Sequence, residues 1–165
     1  MDQATARCAR NLWIIILAAG ASRRLGTSKQ LLQVRGKTLL AQTITRAANI
    51  SPGRVLTVLG AEYSRMRAHI RRNHLPTRCV YNRDWALGMG RSLATGVRAL
   101  PRTADVALVL LCDQPRVGER ALRRLLKAGH RDRNAIIASR YAGRLGVPAA
   151  FPRRAFEDLR KLDAD

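Results

Sequence analysis

Short, almost wholly aliphatic runs alternate with segments of helical period along this 165-residue chain, and that alternation admits few folds. Leu12–Leu17 is a branched apolar run that stops at Ala-Ala-Gly, the pattern of a strand entering a tight loop. Leu39, Leu40, Ile44, Ala47 and Ala48 recur at helical spacing within Thr38–Asn49. Further strands are expected at Arg54–Leu59, Arg78–Tyr81, Ala104–Leu111 and Ala135–Ala138, with a short apolar segment at Pro148–Phe151. Helices are expected at Ser64–Arg72, Arg91–Leu100 and Gly118–Ala128, and a last one from near Arg153. Strands without polar alternation are buried on both faces, as in parallel sheets covered by helices. The pattern predicts an α/β fold. It is one doubly wound, Rossmann-like domain with a mainly parallel sheet over residues 12–165, after an N-terminal extension at 1–11.

Composition narrows the partners. The chain is 47% hydrophobic but only 4% aromatic, so aliphatic side chains must build the core. Its formal charge of +20 favours anionic partners, although an Arg bias spread over solvated surface gives the same number. No basic run is interleaved with aromatics, so a stacking platform for nucleic acid is poorly supported. Cys8, Cys79 and Cys112 lack CxxC spacing and read as free thiols in a reducing cytoplasm. His69, His74 and His130 lack metal-ligand spacing. Arg7 and Arg10 ahead of the first apolar run superficially resemble a secretory leader. Cleavage there would remove a strand and loop that the sheet needs, so the segment is expected to stay. No apolar stretch approaches the ~20 residues that span a bilayer, and no membrane partner is expected.

Three constellations could carry chemistry. In Leu17–Leu32, small residues after a strand let a backbone approach a ligand closely, and exposed amides can bind phosphate oxygens. Arg24 and Lys29 add two cations to the same loop, suited to a triphosphate and its pyrophosphate leaving group. A βα loop with incidental cations would read the same way. The loop matches neither GxxxxGK[ST] nor GxGxxG. In Leu108–Pro115 an apolar strand delivers Asp113 to the sheet's carboxyl edge, either as an oxygen ligand for Mg²⁺ or as a helix cap. Cys112 beside it is soft and reads as core. In Asn82–Leu93, Gly88 and Gly90 permit unusual backbone at a helix entrance, where first-turn amides and the Ser92 hydroxyl could meet a ligand. An ordinary helix start with Trp85 as a packing anchor fits equally.

Leu17–Leu32 resembles the signature loop of the MobA-like nucleotidyltransferases, roughly LAAGxSxRxGxxKxLL, with Leu25 where Met is common. Cys112-Asp113-Gln114-Pro115 is similar to that family's metal-binding strand end. Asn82–Leu93 resembles the N-x-D-W-x-x-G-M-x-x-S-L stretch of one branch, the molybdenum cofactor cytidylyltransferases. The double Ala of Ala18-Ala19-Gly20 is similar to that branch, whereas the guanylyl branch more often shows Ala-Gly-Gly. Gly146-Val147-Pro148-Ala149 is similar to its G-x-P segment near the acceptor. Members usually continue through G-D-x-G-A-R. Here Phe156–Asp165 aligns up to that Asp, with Ala164 where Gly is usual, so the domain is expected to be cut short at Asp165.

The resemblance implies transfer of CMP from CTP to the phosphate of molybdopterin, with pyrophosphate leaving and Mg²⁺ as cofactor. It implies Asp113 and Asp165 as metal ligands, and Arg24, Lys29 and Asp113 as the catalytic set. Leu17, Ala18, Ala19 and Gly20 would border the base. Gly88, Met89, Ser92 and Pro148 would touch nucleotide or acceptor. A transient contact with a molybdoenzyme or its chaperone would follow. Guanylyl transfer, another phosphorylated acceptor, and an inactive nucleotide-binding or interaction module are the alternatives.

Overall fold

Every residue of β1 (Leu12–Ala18) is buried, and its side chains divide cleanly between two cores. Leu12, Ile14, Ile16 and Ala18 enter one, and Trp13, Ile15 and Leu17 enter the other, as the two-residue period of a strand dictates. A strand apolar on both faces must lie between two helical layers. The structure, a computed structural model, describes residues 11–22, 26–129, 134–141 and 143–163.

The chain runs from β1 through a small antiparallel hairpin, β2 (Gln33–Val34) and β3 (Lys37–Thr38), into α1 (Leu39–Ile50). Then come β4 (Val55–Leu59), α2 (Tyr63–Arg72), β5 (Arg78–Tyr81), α3 (Met89–Arg98) and β6 (Val106–Leu111). The chain continues with α4 (Glu119–Gly129), β7 (Ile137–Tyr141), β8 (Arg144–Pro152) and α5 (Phe156–Arg160). The main sheet has the order β5-β4-β1-β6-β8-β7. β5, β4, β1 and β6 are mutually parallel.

Helices α1, α2 and α4 cover one face with Leu40, Ile44, Met66, Ile70, Leu122 and Leu125. Helices α3 and α5 cover the other with Val97, Leu93, Phe156 and Leu159. Thr38 caps α1 by accepting from Ala41 N at 3.1 Å. Gly96 lets α3 press onto β1, since a Cβ there would lie 2.7 Å from Ile15 Cγ2.

The doubly wound, mainly parallel α/β expectation holds, with two differences. The β2–β3 hairpin falls in a stretch expected to be loop. At the other end, the segment expected at Pro148–Phe151 is a nine-residue strand starting at Arg144, and it runs antiparallel to both β6 and β7. The strand expected at Ala135–Ala138 lies at Ile137–Tyr141. An edge strand and the open half of its hairpin carry no all-apolar signal. Ile137–Tyr141 and Arg144–Leu145 are half-buried or exposed.

Candidate functional site

The carboxyl ends of β1, β4 and β6 open on one edge of the sheet, and the first constellation is built there. At the end of β1 the side chains of Leu17, Ala18 and Ala19 are buried, so this stretch offers a ligand its backbone only. Gly20 is exposed, and a Cβ added to it would meet nothing within 4 Å. Ala19 O is fixed by Ala61 N at 2.9 Å. The amides of Gly20 and Ala21 donate to no described residue. Arg24 lies outside the described residues.

The loop's far side is a single 3₁₀ turn at Lys29–Leu31. Three consecutive side chains at its start reach three different strand ends. Ser28 donates to the Glu62 carboxylate beyond β4. Lys29 Nζ meets Asp113 Oδ2 beyond β6 at 2.6 Å. Gln30 turns back to β1, donating to Ala18 O at 3.2 Å and Gly20 O at 2.7 Å. Glu62 sits in the left-handed region at φ 54°. Hydrogen bonds from Ser28 and then Arg65 hold its carboxyl below the usual range.

Lys29 and Asp113 are the predicted cation and carboxylate, 84 positions apart in sequence and in contact in the fold. Both side chains keep about a third of their surface open (34% and 31%), so each can exchange its partner for a ligand. Asp113 stands on a turn pinned from several sides. Gln114 Nε2 donates to Val147 O at 2.9 Å, Val117 N to Gln114 O at 3.1 Å, and Arg46 of α1 to Val117 O at 2.6 Å. Cys112, just inside, is 3% exposed, and burial pushes its thiol pKa up to about 12. It is core, as its softness suggested.

The third constellation joins the first through Gly60. A Cβ on Gly60 would lie 2.4 Å from Trp85 Cβ and 2.7 Å from Ala19 O, so the Trp85–Leu87 turn lies directly against the base of the signature loop. Gly88 takes φ 124°, ψ 178°, a conformation that glycine adopts freely. Met89 is half exposed at the cleft end of α3. Ser92, whose hydroxyl was expected to meet a ligand, lies beneath the loop. It is 4% exposed and its Oγ accepts from Asn82 at 3.0 Å, so it supports the loop from beneath. Asn82 also accepts from Asp84 N at 3.0 Å and gives its own N–H to Leu59 O at 2.8 Å.

Because β8 is antiparallel to β6, its beginning lies beside the end of β6. Gly146–Pro148 therefore reach the same edge, with Pro148 buried. Asp165 lies outside the described residues. Asp163 is held at the start of α3 by Arg91, whose Nε donates to its carbonyl at 2.9 Å.

Sequence reading missed Ser28, Gln30, Glu62 and Gly60. Gln30 carried the one available signal, a polar residue directly ahead of the apolar pair Leu31-Leu32. Glu62 and Gly60 gave none, since their roles exist only across the fold.

Among the described residues no three His, Cys, Asp or Glu side chains cluster. The donor set is one hard carboxylate beside a phosphate-suited turn. That fits a divalent ion such as Mg²⁺, which keeps much of its water and shares ligation with substrate phosphates.

A parallel sheet whose carboxyl edge sets a small-residue loop, a cation and a carboxylate together defines a nucleotide-handling α/β domain. Residues 14–165 match the MobA-like NTP transferase domain, and the chain belongs to that family. It is 40% identical over 113 residues to a Paenarthrobacter nicotinovorans protein named nicotine blue oxidoreductase, covering 68% of this chain and 54% of that one. It is 36% identical over 112 residues to a Rubrobacter xylanophilus protein named bifunctional IPC transferase and DIPP synthase, covering 66% of this chain and 26% of that one. The chain thus spans about half or less of the length of these relatives. Among solved structures, Rv0371c of Mycobacterium tuberculosis superposes with a TM-score of 0.79 at 32% identity, covering 95% of this chain and 79% of that one. A second crystal structure of Rv0371c, in complex with manganese, gives 0.74 at 28% identity, covering 94% and 78%.

Proposed function

We propose that the chain transfers CMP from CTP to the phosphate of a molybdopterin-type acceptor, releasing pyrophosphate. The observation that carries the reading is the 2.6 Å contact between Lys29 of the signature loop and Asp113 at the end of β6. It brings together a cation suited to phosphate and a carboxylate suited to a metal. The double Ala of the Ala18–Gly20 stretch supports cytidylyl over guanylyl transfer.

No protein nucleophile is needed when one phosphate attacks another, so the chain's work is positioning and charge. The Ala18–Gly20 backbone borders the base. The amides of Gly20 and Ala21 and the Lys29 ammonium receive phosphate oxygens, and the triphosphate competes with Asp113 for Lys29. Asp113, with Asp165, would hold Mg²⁺, which when bound neutralises charge on the transferring phosphoryl group and the leaving pyrophosphate. The acceptor is assigned to Gly88–Met89 and Gly146–Pro148, and an in-line displacement requires its phosphate to meet the α-phosphorus opposite the leaving pyrophosphate. The reading places the chain in the cytoplasm. Among the described residues no helix is long and apolar enough to cross a membrane.

Calorimetric titration of CTP, GTP and ATP with Mg²⁺ present, repeated on Asp113→Ala, tests this. Preference for CTP by tenfold, lost in the variant, supports it. Equal binding of all three, or binding indifferent to Asp113, overturns it. The 40% identity to a protein named as an oxidoreductase supports a second reading, in which the chain is an oxidoreductase even though Leu17–Leu32 lacks the GxGxxG pattern of a dinucleotide site. NADH and NADPH belong in the same titration, and their binding in preference to CTP would favour it.

A further inference from the structure

We propose that Gln30 is a positioning residue that sets base selectivity by fixing the backbone bordering the nucleobase. This rests on the nucleotide-binding reading of the Ala18–Gly20 stretch. Gln30 is 1% exposed, yet its side chain is polar and every part of it is used. Both amide protons go to loop carbonyls, Ala18 O at 3.2 Å and Gly20 O at 2.7 Å. Its own carbonyl accepts from Ser22 Oγ at 3.3 Å, and that hydroxyl in turn accepts from Lys29 N at 3.1 Å.

The carbonyl between those two, Ala19 O, is held by Ala61 N at 2.9 Å. Three successive carbonyls are therefore tied down by the protein, two of them by a single buried amide. With the Ala18 and Ala19 side chains buried as well, the surface left for a base is a strip of backbone whose peptide planes are set by Gln30 at Ala18 and Gly20 and by Ala61 N at Ala19.

A base is discriminated by fixed donors and acceptors meeting its edge, and discrimination falls when those groups can rotate to suit another edge. The other two contacts of this turn act elsewhere. Ser28 reaches Glu62 and Lys29 reaches Asp113, at the ends of β4 and β6. Gln30 alone of the three faces the base-bordering strip. Its loss should change which base is chosen more than how tightly triphosphate is held. A residue that merely stabilised the fold would weaken all nucleotides alike.

The test compares wild type with Gln30→Met, which keeps side-chain length and burial but removes the amide, and with Ser22→Ala, which removes one contact to it. Affinities for CTP and GTP are measured by calorimetry on the full chain with Mg²⁺, with Tm recorded alongside. The expected result is a fall of fivefold or more in the ratio of the two affinities for Gln30→Met, and a smaller fall in the same direction for Ser22→Ala. Equal weakening of both nucleotides, or an unchanged ratio, overturns the inference. If Gln30→Met does not fold, the ratio in Ser22→Ala decides. A wild type preferring GTP defeats the cytidylyl reading but leaves the Gln30 comparison valid. A wild type that does not discriminate defeats both.

Discussion

Replacing Gly60 by Ala tests whether the cleft is assembled as described. The added Cβ would lie 2.4 Å from Trp85 Cβ and 2.7 Å from Ala19 O. Carbon contacts are comfortable only at about 3.5–4.0 Å, so relief requires a separation of about 1 Å. Neither neighbour is the end of a flexible chain. Ala19 O is anchored by Ala61 N at 2.9 Å, and Trp85 Cβ belongs to the Trp85–Leu87 turn. Overpacking of this kind costs ~1–3 kcal/mol, and two backbone-anchored neighbours place Gly60→Ala near ~3. In a chain of this size each kcal/mol lowers Tm by roughly 2–4 °C, so a fall of about 6–12 °C is expected in a thermal melt. The control is Gly118→Ala, where a Cβ meets nothing within 4 Å and the change should stay within about 0.5 kcal/mol. A Gly60→Ala melt within about 1 °C of wild type would refute the packing of Trp85 against the loop.

Three further outcomes are expected. Asp113→Asn should cost at most about 1 kcal/mol in urea denaturation, because its ion pair with Lys29 is a third exposed, yet should abolish Mg²⁺-dependent nucleotide binding by calorimetry. His69, which shares a hydrogen bond with Thr38 at 2.9 Å, has its pKa lowered below 6.5, first by burial and then by Arg72. The unfolded chain therefore takes up the proton first. Stability from this group is full above pH 6.5 and is lost as pH falls from there through the folded value. Denaturation midpoints between pH 5 and 8 should show that slope, and His69→Gln should flatten it. The Cys112 thiol, pushed up to about 12 by burial, should resist iodoacetamide at pH 8 in the native chain and react once the chain is denatured, read by peptide mass spectrometry.

The parallel half of the fold was legible because its central strands β1, β4 and β6 are apolar on both faces. Ile14, Ile15 and Ile16 are fully buried in succession, and such a run fits only between two layers. The antiparallel end was less legible. The exposed start of β8 at Arg144 and Leu145 has no hydrophobic period, and its direction follows from pairing with β6 across a long stretch of chain. At the site, Lys29 and Asp113 could be named because each falls in a short motif that resembles the family's, Lys29 in the loop after β1 and Asp113 at the end of an apolar strand. That Ser28 reaches Glu62 could not, since Glu62 is one surface carboxylate among several until α2 is docked. The surroundings of Ser92 were equally hidden. A helix-start hydroxyl looks available in sequence, and only the buried Asn82 bond shows that it faces inward.

The reversed pair β7–β8 leaves the two halves of the sheet with different freedom to change. Each parallel strand on the β1 side is joined to the next by a whole crossover, so lengthening one there means refitting a helix against a filled core. The β7–β8 hairpin instead turns around Gly143 at φ 83° and stands at the same rim as Asp113, with Leu145 76% exposed and Tyr141 48%. Adding matched residues on either side of that turn would raise the rim without disturbing any buried position. Descendants of this chain could thus acquire taller or shorter lips at this rim while inheriting the β1 side of the cleft untouched.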